Sequence, residues 1–177
     1  SACAAISQAT GHRIEAYAAD VSDAGQIAAL YDKVTADLGQ VDILVNNAGT
    51  SQTGRFEEVT DEIWQADLDL KLMAAIRLCR LVLPGMKERR WGRIINVLNT
   101  AAKAPRGGSA PTSVSRAAGM ALTKVLAGEG AAHNVLANAL CTGIIESGQW
   151  DRRFEAQGAG KTKDEFLADM AKERGLP

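Results

Sequence analysis

The sequence predicts an α/β domain built on a parallel sheet with helices on both faces. Three observations point there. Apolar runs short enough to be strands recur four times, at 13–18, 41–45, 92–97 and 134–140. Helix-length amphipathic sequence separates each run from the next, the alternation expected of parallel strands joined by covering helices. The chain of 177 residues, 46% of them hydrophobic, can build one sizeable core and leaves little room for a second domain.

The elements follow in order. The opening stretch, small and apolar from Ser1 to Ser7, reads as the end of a helix because it has neither a basic region nor a cleavage site after it. Residues 13–18 (RIEAYA) alternate in polarity as a strand does, and 22–38 form an amphipathic helix with Ser22 or Asp23 as cap and Gly39 as stop. The run 41–45 (VDILV) reads as a buried strand. A long helix is expected over 61–89, a strand over 92–97, a helix over 112–132 and a strand over 134–140. The chain closes on a charged helical tail that breaks at Gly175-Leu176-Pro177, with no further strand. Both ends read as interrupted within a domain.

Composition excludes several classes. Net charge is -1 and the basic residues are scattered, so no electrostatic footprint of a nucleic-acid or membrane-surface binder is present. No apolar run is long enough to cross a bilayer as a helix. The cysteines, Cys3, Cys79 and Cys141, lie far apart without metal-binding spacing, which suggests neither a disulfide framework nor a zinc site and favours a reducing cytoplasm. The string Gly158-Ala-Gly-Lys-Thr162 looks like the end of a phosphate-binding loop. The first glycine of that motif would fall on Glu155, however, and no strand precedes it.

The chemistry-bearing residues lie in an ordered series of turns. Asn46-Asn47-Ala48-Gly49 follows a strand directly, at the carboxyl end where open α/β sheets bind ligands and where small residues let a ligand approach the backbone. Ala19-Asp20-Val21 precedes it, and the strand at 92–97, the window 109–120 and Leu140-Cys-Thr-Gly143 come after it. This set resembles the short-chain dehydrogenase/reductase family over nearly the whole chain. The resemblance implies a Rossmann-like, doubly wound sheet and an NAD or NADP cofactor. Asp20 and Val21 would contact its adenine, Asn47, Ala48 and Gly49 its adenosine side, and Thr142, Gly143, Ile144 and Ile145 its nicotinamide. It further implies a small-molecule substrate, a lobe over that substrate formed by 144–177, and a homo-oligomer made through the long helices. The first strand and its glycine-rich turn, which would hold the pyrophosphate, are expected ahead of Ser1. Nucleotide binding by these 177 residues alone is therefore expected to be weak, and the choice of NAD or NADP unreadable.

The reacting centre departs from the family. Where the family carries Asn, Ser, Tyr and Lys, this chain carries Lys71, Asn99, Thr112 and Arg116. Threonine cannot replace the tyrosine as a proton donor of suitable pKa, and the two tyrosines, Tyr17 and Tyr31, lie well upstream. Arg116 keeps the cation but cannot shed a proton, whereas Asn99 can still hydrogen-bond a carbonyl. Lys71 becomes a candidate proton donor if burial and Arg116 lower its pKa. The alternative is an ordinary lysine whose tip snorkels to solvent. Three functions stay open: a divergent oxidoreductase of a carbonyl or secondary alcohol, a catalytically silent binding or scaffold subunit, and a non-redox hydratase or lyase using the same cleft.

Overall fold

Local signals place most elements where the pattern puts them. A computed structural model of the chain describes residues 2–143, 148–158 and 160–173. Helix α1 (Ala2–Thr10) leads into α2 (Ala24–Leu38). Asp23 caps α2 by accepting a hydrogen bond from the Gln26 amide at 2.8 Å, and Gly39 ends it at a φ of 82° that side chains resist. Then come β1 (Ile43–Asn46), the two-residue β2 (Thr53–Gly54), α3 (Asp61–Leu68), a π-helical turn (Asp69–Met73) and α4 (Ala74–Glu88). Next are β3 (Gly92–Asn99), the two-residue β4 (Ala110–Pro111), α5 (Thr112–Gly130) and β5 (Val135–Thr142). The sheet is parallel in the order β1-β3-β5, with Asn46 opposite Asn96 and Asn99 opposite Thr142. β2 and β4 pair antiparallel as a small separate ribbon.

Two expectations need correction. Residues 13–18 carry no strand ladder. A strand exists only by hydrogen bonding to a neighbour, and no described strand pairs with this segment; it is tied to α2 instead, where the Tyr17 hydroxyl donates to Asp37 at 3.0 Å. The single helix expected over 61–89 is divided by the π turn at Asp69–Met73, which inserts one residue into the helical ladder.

The core forms where α4 and α5 cover β3. Cys79, Val82, Leu83 and Met86 of α4 meet Ile94 of β3, Leu126 of α5, and Val135 and Ala137 of β5. Apolar burial at such a site contributes roughly 1.5–3 kcal/mol per large side chain. Burial raises the Cys79 thiol to about 11, so it packs as a small apolar group. A buried polar chain crosses this core: Asn46 donates to Asn96 and Asn96 to Thr123, each at 2.8 Å, fixing the relative height of β1, β3 and α5. Among the described residues the face of β1 turned away from the core is open, with Ile43 and Val45 56% and 51% exposed.

Residues 143–177 make a second compact unit, described separately. In it α6 (Gly148–Gln157) and α7 (Lys163–Glu173) bring the Phe154 and Phe166 rings to 5.8 Å. The phosphate-loop-like string ends in a capping box: the Thr162 amide donates to the Glu165 carboxylate at 2.8 Å, and the Glu165 amide to the Thr162 hydroxyl at 3.3 Å. Among the described residues no helix is long and apolar enough to cross a membrane.

Close packing at the end of α5 gives a test. A Cβ on Gly130 would lie 2.5 Å from the Val135 carbonyl oxygen, whereas one on Gly128 meets nothing within 4 Å. Gly130→Ala is expected to lower stability by about 1–3 kcal/mol, and Gly128→Ala to raise it by up to about 1 kcal/mol through helix propensity. Urea unfolding of the two variants measures both.

Candidate active site

The carboxyl ends of β1, β3 and β5 lie side by side, and the chemistry-bearing residues gather just beyond them. The π turn puts Lys71 on the inner face below the Asn47–Gly49 turn, one helical turn after Asp67. On the facing helix, α5 begins at Thr112 and places Ser115 one turn further along; both are buried. These four side chains bond to one another.

Lys71 Nζ donates to Asp67 Oδ1 and, at 2.7 Å, to Thr112 Oγ1. Ser115 Oγ donates to Asp67 Oδ2 at 2.6 Å. The Thr112 hydroxyl also accepts from the Gln52 amide at 3.0 Å and donates to the Gln52 carbonyl at 2.6 Å. The side chains of Lys71 and Asp67 are each only 1% exposed, so Lys71 does not snorkel to solvent. Burial pushes the Lys71 ammonium below the usual lysine range; Asp67 opposes this through its hydrogen bond and charge, and Arg116 adds to it.

Arg116 turns under the same turn. Its Nη1 donates to the Val97 carbonyl at 2.6 Å, Nη2 lies 2.8 Å from where a Cβ on Gly49 would stand, and Nε has no acceptor among the described residues. A side chain at position 49 would push the guanidinium from this place. Burial lowers the Arg116 pKa and Asp67 opposes the shift, which leaves a side chain that is still a cation at any ordinary pH. Asn99, at the end of β3, has a buried Oδ1 with no donor among the described residues. Beside it on β5, the Thr142 hydroxyl donates to the Leu98 carbonyl at 3.0 Å, and no described residue lies within 4 Å of where a Gly143 Cβ would stand.

Of the remaining sequence candidates, Gly49 lies over Lys71 and Arg116. Asn47, Ala48 and Gly49 are exposed. Asp20 is also exposed, and its carboxylate accepts from the Ser22 amide and hydroxyl at 2.9 and 2.7 Å, which lowers its pKa. Val21 is half-buried beside it at the start of α2. Ile144 and Ile145 lie outside the described residues. A cavity of about 300 Å³ adjoins the cluster, lined by Thr50, Gln52, Glu62, Ile63, Ala66, Asp67 and Leu70.

Sequence reasoning missed Asp67, Ser115 and Gln52. The first two were findable: Asp67 stands four residues before Lys71, and Ser115 three after Thr112, so each shares a helix face with a named candidate. Gln52 acts through its backbone, which leaves no signal in side-chain type.

Comparison with known proteins decides the family. The family model described as short chain dehydrogenase matches residues 1–158. The chain belongs to this family. It is 36% identical over 147 residues to nodulation protein G of a Rhizobium species, covering 83% of this chain and 60% of that protein. It is also 36% identical over 158 residues to a D-beta-hydroxybutyrate dehydrogenase of Cupriavidus necator, covering 89% and 61%. Among solved structures, L-sorbose reductase from Gluconobacter frateurii, complexed with NADPH and L-sorbose, superposes with a TM-score of 0.90 at 33% identity over 97% of this chain and 66% of that one. The chain thus spans about three fifths of the length of these curated relatives.

The ion pair inside this short-chain dehydrogenase site is open to test. Lys71→Met leaves the Asp67 carboxylate buried without its cation and is expected to cost about 3–5 kcal/mol, whereas Lys71→Met combined with Asp67→Leu should recover most of it. Urea unfolding of the single and double variants gives the coupling between the two residues.

Proposed function

We propose that the protein is an NAD(P)-dependent oxidoreductase of a carbonyl or secondary alcohol in which Thr112, backed by Lys71, handles the proton. The observation that carries this reading is the 2.7 Å hydrogen bond from the Lys71 ammonium to the Thr112 hydroxyl. A hydroxyl in contact with a cation of lowered pKa can pass on a proton that it could not itself supply.

The residues at the strand ends fit a nicotinamide cofactor. Asn47, Ala48 and Gly49 present a small, exposed turn, no described residue lies within 4 Å of where a Gly143 Cβ would stand, and Asn99 Oδ1 is a buried acceptor without a donor among the described residues. In this reading Asp20 and Val21 meet the adenine, and Thr142, Gly143, Ile144 and Ile145 flank the nicotinamide. Arg116, whose guanidinium lies against Gly49, is the cation assigned here to hold the ribose. The cofactor, when bound, supplies or accepts the hydride at the substrate carbon.

The protein's own residues act at the substrate oxygen. Thr112 gives its hydroxyl proton to that oxygen as Lys71 gives a proton to Thr112. The threonine never becomes a free alkoxide, which an aliphatic hydroxyl could not sustain near neutral pH. In the oxidation direction the same protons move back. Asn99 orients the oxygen through its amide. Free Cys3, Cys79 and Cys141 are consistent with a reducing cytoplasm, and Val114 and Val125, exposed on α5, offer an apolar face for a homo-oligomer.

A second reading has its own observation. Gln52 binds the Thr112 hydroxyl through both its amide and its carbonyl, which favours a silent binding subunit unless that loop moves aside. Nicotinamide absorbance over a panel of ketones and aldehydes, measured on the full-length protein, separates the two. Turnover is expected, with Thr112→Val lowering kcat by at least about 100-fold and Thr112→Ser retaining most of it. Cofactor binding by thermal shift without turnover on any carbonyl would establish the silent subunit instead.

A further inference from the structure

We propose that Asp67, held by Ser115, is the positioning residue of this site: it keeps Lys71 protonated and aimed at Thr112. The inference rests on the reading above, in which Thr112 and Lys71 handle the proton.

The carboxylate is divided between two helices. Oδ1 faces Lys71 one turn later on its own helical run, and Oδ2 accepts from Ser115 of α5 at 2.6 Å. With each oxygen engaged by a different donor, the group cannot rotate away from Lys71 without breaking a buried hydrogen bond. Ser115 stands one turn after Thr112 and also reaches the Thr112 carbonyl at 3.1 Å, so Asp67 senses the first turn of α5 as well. A buried lysine lacking such a partner either loses its proton, which leaves none to pass to Thr112, or turns its tip to water, which breaks the contact.

The charges around Lys71 are few. Asp67 is its anion, and Arg116 of α5 is a like charge that repels it. Gly49 is the part of the strand-end turn lying over Lys71, and the segment from Asn47 to Thr53 carries no titratable group. From α4, Arg77 is directed to the Ser22 carbonyl at 2.9 Å and to Asp69 at 3.4 Å. Glu62 lines the cavity that Asp67 also lines, but it is exposed at the start of α3. With Asp67 neutralised, the charged group still acting on Lys71 among the described residues is Arg116, which is repulsive. The sign follows: removing the anion makes Lys71 release its proton at lower pH. Reduction needs that proton, so the alkaline limit of turnover must fall with it.

The test uses the full-length protein with ¹⁵N-labelled lysine, following the Lys71 Nζ resonance by NMR and kcat against pH in parallel. Asp67→Asn is expected to move the Nζ midpoint down by at least about one pH unit, and the alkaline limb of kcat with it. Ser115→Ala frees the carboxylate to swing away and should move the midpoint in the same direction by less. Asp67→Glu should restore most of the wild-type behaviour. Ser115→Ala deletes only a hydroxyl and keeps the test alive if Asp67→Asn does not fold. A merely structural Asp67 would lower thermal stability in these variants and leave the Nζ midpoint where it is, and that result would overturn the proposal. If the wild-type protein turns over no carbonyl, a shifted midpoint still supports the role of Asp67 and the failure falls on the oxidoreductase reading.

Discussion

The site depends on one constraint: a lysine ammonium buried to 1% exposure must have its charge answered inside the protein. Desolvating that group costs several kcal/mol, which a carboxylate and well-placed hydrogen bonds can offset only in a tight geometry. Asp67 supplies the charge, Thr112 supplies an acceptor, and Ser115 fixes the carboxylate. Each of these requirements recruits a different part of the chain. The π turn brings Lys71 to the inner face, the start of α5 brings two hydroxyls, and the Gln52 backbone closes the Thr112 hydroxyl from the loop side.

The sheet makes that geometry repeatable. Because β1, β3 and β5 run parallel in fixed register, the turns after them emerge at one edge, and the Asn46, Asn96 and Thr123 chain sets the height of α5 against the sheet. Gly49 lets the Arg116 guanidinium lie against the first of these turns. The cation thus supports the backbone between the ends of β1 and β3. Of the four replaced residues, Lys71 and Thr112 bond to each other, so that an ammonium at the position of the family's asparagine touches an aliphatic hydroxyl at the position of its tyrosine.

Much of the fold was legible because parallel strands and amphipathic helices declare themselves by period. The strands at 41–45, 92–97 and 134–140 and the helices over 22–38 and 112–132 were read with boundaries shifted by one or two residues. Residues 13–18 misled because alternation reports a strand's two faces and says nothing of whether a partner is beside it. The division of the long helix was hidden, since one inserted residue leaves the apolar pattern on either side intact. The phosphate-loop-like string at 158–162 follows α6 and no strand, and its last residue, Thr162, caps α7 with Glu165.

The site was legible in part. Lys71, Asn99, Thr112 and Arg116 could be named from their places in the motif, but the burial of Lys71 and its bond to Thr112 arise from packing between residues 41 apart. Whether that lysine faces solvent or the interior decides the account, and a crystal structure of the full-length protein at a resolution that places side-chain nitrogens settles it. The account predicts Lys71 Nζ within hydrogen-bonding distance of both Asp67 and Thr112, with Ser115 on the other carboxylate oxygen. A Lys71 extended into solvent, with Thr112 bonded to no cation, would contradict it.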